Sequence, residues 1–513
     1  MNKIHAHTLI IFFAGAILSS AITYGDLTYD TSGDTVTVTS CHYGASGQIT
    51  IPETFEGKPV AKIGYRAFFG CGLVKVIKIP DTVQTIEDNA FVWCDGLVHL
   101  DLGEGVTSIG ENVFEFCYEL DSLELPESLT SLGRGVFVNS GISTIHFPSG
   151  LTTIPEGCFS GSNRLAKVTF ADTISSIGRY AFYSNTRLTS ITLPDGLITL
   201  GDNAFARCAN LSSVTFNEGL QAIGSSTFSS CTKLTQIETP DSVLTIGKAA
   251  FNNCISLETL TLGDGLLEIE RDAFKDCRAL QNLTFPQSIQ SIGEGAFSDC
   301  SNLESVILPD SLVELGEGVF SRCSGLQSVI FPENILSVPA FTFFSCNSLI
   351  SVELPEKLTT IEGAAFLGCS SLTSITIPEN VTSISRMAFG GCHSLTSIEF
   401  LGNAPQIEEP LFPQFNAPAT VEPDINVRHF ATGFGSTFSG LNVKRAPHLV
   451  FEEGFFIVES DTTDYENLAL YYSNDFQTWT KVDDTEQTRW TFRVPADSPA
   501  LAGEKSFFQF RPE

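Results

Sequence analysis

The chain has 513 residues, 42% of them hydrophobic, and a formal net charge of −31 at pH 7. Such acidity repels nucleic acid and anionic membrane surfaces and suits divalent cations or cationic partners. The apolar content is too high and too regular for a disordered chain.

The chain opens on what reads as an export leader. Lys3 gives a charged start, Leu9 to Leu18 is a short apolar run, and Ser19, Ser20 and Ala21 are small residues suited to cleavage. Residues 1–21 are assigned to the leader, with cleavage after Ala21 or Gly25. An apolar run of roughly ten residues is too short to cross a bilayer. No later run is longer, so no transmembrane segment is expected once the leader is removed. The expected location is extracytoplasmic, either secreted or at the cell surface. Residues 22–62 are expected to form an N-terminal β cap.

From there a phenylalanine returns with a period of 23 residues: Phe68, Phe91, Phe114, Phe137, Phe159, Phe182, Phe205, Phe228, Phe251, Phe274, Phe297, Phe320, Phe343, Phe366 and Phe389. The one exception is the 22-residue step from Phe137 to Phe159. A fixed period of this length predicts stacked coils, each burying its apolar side on the next. Residues 63–400 are read as this array of about fifteen coils.

The coil around Phe205 shows the pattern. Ala204, Phe205 and Cys208 fall on one face if the segment makes a helical turn. Leu211, Val214 and Phe216 alternate with Ser212, Ser213 and Thr215, as in a short strand with one buried face. A proline such as Pro194 ends the strand, since it cannot donate to a ladder. Leu197 and Leu200 then begin a return wall, and a glycine follows, as at Gly178, Gly201, Gly224 and Gly247, where the chain can turn.

The pattern Ala-Phe-x-x-Cys-x-x-Leu-x-x-Ile-x-Leu-Pro-x-x-Leu-x-x-Ile-Gly resembles the BspA-type leucine-rich repeat. So do Ile49-Thr50-Ile51-Pro52, Gly57-Lys58-Pro59-Val60 and Ile63-Gly64 at the start of the array. The resemblance implies a right-handed leucine-rich-repeat solenoid with a parallel β-sheet on one face and short helical turns. It also implies an exported surface protein of a microbe, with adhesion or protein–protein binding as the leading role. A carbohydrate-binding accessory protein and a structural envelope protein are the alternatives. A resemblance of fold does not transfer a partner.

Repetition turns each position of the coil into a column. The cysteine column runs Cys71, Cys94, Cys117, then Cys208 through Cys392, with Ser140, Ser162 and Asn185 interrupting it. Cysteines one coil apart point the same way at the coil spacing, whereas a disulfide needs Cβ atoms about 3.8 Å apart. Buried free thiols are therefore expected. No CxxC pair or histidine cluster completes a metal–thiolate set.

Two polar columns define candidate contact surfaces. The strand's outer positions give a candidate binding face of Thr144, His146, Lys167, Thr192, Thr215, Glu238, Thr261, Thr284, Glu353 and Thr376. Threonine suits a soluble strand surface, and its hydroxyl can also hydrogen-bond a protein or glycan on another surface. The position after the strand-ending proline gives a candidate acidic edge of Asp172, Asp195, Glu218, Asp241, Asp264, Asp310, Glu333, Glu356 and Glu379. Acids there suit turn chemistry. Carboxylates one coil apart also repel unless screened, so a role in condensing Ca²⁺ or docking a basic partner is a second reading. No other cofactor is expected.

After Phe389 the beat stops. Residues 401–446 read as a C-terminal cap and linker, in which Ala431 to Phe438 resembles the closing segment of bacterial arrays of this type. Residues 447–513 read as a small antiparallel β module with Trp479 and Trp490, whose role is capping, surface retention or glycan contact. The chain has no G-x-S-x-G elbow, H-E-x-x-H or Walker loop, and its eight histidines lack clustered partners, so no enzyme is expected.

Overall fold

The computed structural model describes residues 21–408 and 410–411 and, further on, the backbone of the strands between Asn426 and Pro512. Residues 1–20 of the leader, and Trp479 and Trp490, lie outside the described residues. The chain divides into two compact units, residues 1–326 and 327–513.

The first unit opens with Ala21–Tyr24, Leu27–Asp30 and Val36–Cys41 paired antiparallel, after which Val36–Cys41 pairs parallel with Lys58–Ile63. From there the unit is a parallel β-solenoid. One wall carries the longer strands. Gly47–Thr50, Val74–Lys78 and His99–Asp101 pair in sequence, then Thr144–Phe147 with Lys167–Phe170, Ser190–Thr192 with Ser213–Thr215, and Gln236–Glu238 with Thr259–Thr261. The return wall is itself a sheet: eight two-residue strands run from Thr153–Ile154 to Glu314–Leu315, with Ile177 beside Leu200 and Ile246 beside Ile269. Most coils thus carry parallel strands on two walls rather than on one face. The Leu-x-x-Leu spacing after the proline supplies the inward side chains that make the second wall possible.

Between the walls the phenylalanines form one stack. Phe205 lies 5.6 Å from Phe228 and Phe228 lies 5.4 Å from Phe251, with ring planes within 10° of parallel. Phe216 and Phe285, at strand ends, meet the next coil's ring edge-on at 83°. Complete burial is worth about 2–3 kcal/mol per ring, and ring-on-ring contact adds about 0.5–1.5 kcal/mol.

The expectation of short helical turns is corrected. Among the described residues there is no helix, and the phenylalanine segment is a run of hydrogen-bonded turns. Its backbone turns left-handed at every fourth residue: Asn203 and Arg207 have φ of 56° and 60°. Every second N–H leaves its own coil. Asn203, Phe205 and Arg207 donate to Ser225, Thr227 and Ser229 of the next coil at 2.7–2.9 Å, while Ala204, Ala206 and Cys208 donate three residues back. A helix would spend all of these donors within the coil. The chain uses half of them to bind one coil to the next.

Glycines at Gly201 and Gly224 also serve a purpose other than the one expected. Neither has a positive φ. A Cβ on Gly201 would lie 2.7 Å from the backbone nitrogen of Arg179, and one on Gly224 would lie 2.7 Å from the carbonyl of Leu200. They are glycines because adjacent coils approach too closely for a side chain.

The cysteine column is buried and its thiols are free. Most of its thiols donate to the phenylalanine carbonyl of the preceding coil, as in Cys94 to Phe68 at 3.0 Å and Cys208 to Phe182 at 3.2 Å, whereas Cys71 faces the Cys41 carbonyl at 3.8 Å. Two of the interrupting residues do the same: Ser162 donates to Phe137 at 2.6 Å and Asn185 to Phe159 at 3.0 Å, while Ser140 Oγ lies 3.4 Å from Ser162 Oγ. The position therefore selects a small hydrogen-bond donor, not simply a small residue. Burial pushes the Cys117, Cys208 and Cys254 thiols up to about 12.

In the second unit the same construction continues. Phe343, Phe366 and Phe389 stack at 5.3 and 5.5 Å, and Ser328–Ile330 pairs with Ser351–Glu353 and Ser374–Ile377 with Ser397–Phe400, all parallel. Ser397–Phe400 then pairs parallel with Asn426–His429, and that strand with Leu441–Arg445. Beyond it the strand pairings turn antiparallel: His448–Glu452 with Phe455–Glu459, Phe455–Glu459 with Thr491–Pro495, and Leu468–Ser473 with Phe507–Pro512.

Candidate binding face

Strand alternation sends Ile191, Ile237 and Leu260 inward and leaves the residues on either side of them outside. All ten residues of the expected binding face are exposed. In the first unit the register places Thr144 beside Lys167, Thr192 beside Thr215, and Glu238 beside Thr261. Thr284 lies beside Ile307, an apolar side chain 63% exposed on the same column. In the second unit Glu353 pairs with Ile330 and Thr376 with Glu399.

The face is not uniform. Ser122 joins its neighbours only through isolated bridges to His99 and Thr144, and two shallow depressions meet there. One, of about 480 Å³, is lined by Lys78, His99, Asp101, Glu104 and Glu127 among others. The other, of about 520 Å³, is lined by Thr144, His146, Lys167 and Thr169, and both share Ser122, Glu124 and Leu125. His146 Nδ1 and Thr169 Oγ1 lie 3.0 Å apart, which fixes the imidazole across two coils. Three of the expected face residues, Thr144, His146 and Lys167, thus share one hollow of mixed charge.

The hollow lies at the short coil. Ser140-Gly141-Ile142 stands where the preceding coil has Cys117-Tyr118-Glu119-Leu120, so one loop residue is missing. Arg164 reaches over the gap. It donates to the Tyr118 carbonyl at 3.1 Å and lies 3.7 Å from Glu119 and 3.8 Å from Asp121.

The acidic edge is exposed throughout its nine expected residues. Part of it ties coils together: Asp241 Oδ1 accepts the backbone N–H of Asp264 at 2.8 Å, as Asp81 Oδ1 does from Glu104 at 2.9 Å. Among the described residues no three or more His, Cys, Asp or Glu gather as a metal-binding group. A calcium ion at this edge would find one carboxylate per coil.

The sequence reading missed an aromatic cluster on the turn edge of the first coils. Trp93 and Phe116, two residues after Phe91 and Phe114, stack at 4.2 Å, with Tyr118 beside them. The signal was present as aromatics in a column that otherwise holds Asn139, Ser230, Asn253 and Asp276.

A family model described as BspA type leucine rich repeat region (6 copies) matches residues 45–166, 152–281, 267–396 and 359–433. The chain belongs to this family. Among solved structures it is similar to a leucine-rich repeat protein from Bacteroides ovatus, at 27% identity and a TM-score of 0.55 over 83% of this chain and 99% of that one. It is also similar to a leucine rich cell surface protein from Faecalibacterium prausnitzii, at 29% identity and a TM-score of 0.39, over 74% of this chain and 95% of that one. No curated protein matches the sequence. Among the described residues no helix is long and apolar enough to cross a membrane.

Proposed function

We propose that the protein is an exported, non-enzymatic recognition protein of a bacterial surface, whose solenoid binds a protein partner, with adhesion as its role. The observation that supports this most is the sheet face: exposed hydroxyl and charged side chains in register, interrupted by one hollow of mixed charge at the short coil. A flat sheet offers backbone rigidity at no further ordering cost, which favours binding by a preorganised surface. Residues 1–21 serve as the leader, 22–62 and 401–446 as caps that cover apolar coil ends, and 447–513 as a terminal module for capping or surface retention.

The test is saturable binding of a partner purified from native envelope material to the full chain, measured against charge reversal at Glu238 and Glu353. Loss of binding on reversal supports the reading. Unchanged affinity removes the sheet face as the contact. A glycan array run with the same proteins distinguishes the carbohydrate-binding alternative, since glycan binding without protein binding would replace the leading reading.

A further inference from the structure

The turn edge of the first unit carries aromatic rings, several of which are already covered by a cation from their own chain. Arg66 lies over Phe69 at 4.9 Å and over Tyr65 at 5.2 Å. Arg179 lies over Tyr180 at 5.9 Å, and Arg207 over Tyr183 at 5.6 Å. One cluster breaks the pattern. Trp93 and Phe116 stack face to face at 4.2 Å, and Tyr118 meets the indole edge-on at 6.4 Å and 71°. Among the described residues no arginine or lysine lies over these three rings.

The cluster is held in place at a conformational cost. Trp93 and Phe116 have φ of 62° and 61°, a region that bulky side chains rarely occupy. The left-handed backbone is common to this column, which holds Asn139, Asn253 and Gly161, suited to it, but also Arg207, Ser230 and Arg322. Phe116 covers one face of Trp93. On the other side the preceding coil has Gly70, beside which the Tyr43 ring lies, and the indole remains 45% exposed. Tyr118 is held by Arg164, which bonds its carbonyl from two coils away.

The surroundings select the ligand's charge. Asp95 and Glu115 adjoin the rings in sequence, as does Glu119, which lies 3.7 Å from Arg164, and the chain as a whole carries −31. A ring face attracts a cation, and nearby carboxylates strengthen that preference. We propose that the Trp93–Phe116–Tyr118 corner is a docking seat for an arginine or lysine side chain of a basic partner protein, filling the place that Arg66, Arg179 and Arg207 fill on neighbouring rings. The proposal rests on the recognition reading only in taking the partner to be a protein. The seat lies on the turn edge, away from the sheet face.

The experiment uses the full chain and two peptides, an alternating arginine–glycine hexamer and its citrulline counterpart, which is uncharged and nearly isosteric. Affinity is read by calorimetry and by quenching of indole fluorescence. The arginine peptide binds and the citrulline peptide does not. Trp93→Asn weakens the arginine peptide about 3- to 30-fold, the range of a cation–π contact, while Trp93→Phe retains most of the affinity. The melting temperature of Trp93→Asn equals or exceeds that of the parent, because asparagine accepts the left-handed backbone. Glu238→Lys, on the sheet face, leaves peptide binding unchanged, so a failed peptide test and a failed sheet-face test are separable. Equal affinity of parent and Trp93→Asn would overturn the proposal, leaving bulk charge as the cause. A lowered melting temperature in Trp93→Asn would assign the indole to packing. Binding of cellohexaose that depends on Trp93 would assign the platform to sugar rings instead.

Discussion

The buried thiols make the fold's stability depend on alkaline pH in a way that can be counted. An unfolded thiol ionises near 9.0, and burial holds Cys208 and Cys254 protonated until about 12. The folded value is raised, so these thiols contribute their full stabilisation below pH 9, and that contribution is lost as pH rises from 9 toward 12. At pH 10 the unfolded thiol is mostly ionised and the folded one is not. One pH unit of such a difference is about 1.4 kcal/mol per thiol, the value of one pKa unit. Serine does not titrate there and keeps a donor for the phenylalanine carbonyl, as Ser162 does toward Phe137 at 2.6 Å. The double variant Cys208→Ser, Cys254→Ser should therefore lose about 3 kcal/mol less stability than the parent between pH 8 and pH 10. Urea unfolding followed by circular dichroism at each pH measures this. Identical pH slopes for parent and variant would refute the reasoning, as would rapid alkylation of Cys208 and Cys254 in the folded protein at pH 8.

Three further outcomes follow from the same geometry. Phe251→Ala removes a ring stacked at 5.4 Å on Phe228 and 5.1 Å on Phe274, and should cost about 3–5 kcal/mol in urea unfolding, with hydrogen exchange rising first in those neighbouring coils. Asn185→Cys restores the thiol column and removes Asn185 Oδ1, a buried oxygen with no hydrogen-bond partner among the described residues, so it should stabilise by about 1–2 kcal/mol. Burial raises the Glu115 carboxyl, so its neutral form is the one the fold favours. That favour is present below the unfolded pKa and is lost as pH rises through the folded one. Glu115→Gln should therefore raise the melting temperature at pH 7 and leave it unchanged at pH 3.

The solenoid was legible because a coil that buries one ring on the next must repeat its apolar positions, and Phe205, Leu211, Val214 and Leu200 do so. The exposed strand face was legible for the same reason, since period-two alternation fixes which side chains face out. Backbone conformation was not. Helical spacing of Ala204, Phe205 and Cys208 satisfied a helix equally well, but the positive φ at Asn203 and Arg207 breaks it, and Asn203, Phe205 and Arg207 donate to the next coil. The donor requirement at the cysteine column was half visible in Ser162 and Asn185, which share hydrogen-bonding ability as well as modest size. The aromatic corner was hidden because Trp93 and Phe116 lie outside the core beat, and the hollow because it arises from one missing residue near Gly141.

The alternating hydrogen bonding also gives the array a direction. The peptide joining Ser225 to Ser226 accepts from Asn203 through its carbonyl and donates to Lys248 through its N–H, and the peptides at Phe228 and Ser230 do likewise. Each coil is thus a link with a receiving side and a giving side, and every link is interchangeable. Gene duplication that adds one whole coil, or a deletion that removes one, leaves both flanking coils with the partners they had before. Fractions of a coil do not, because they would set giving sides against side chains. Length can therefore drift over evolutionary time by whole units while the chemistry joining them stays fixed.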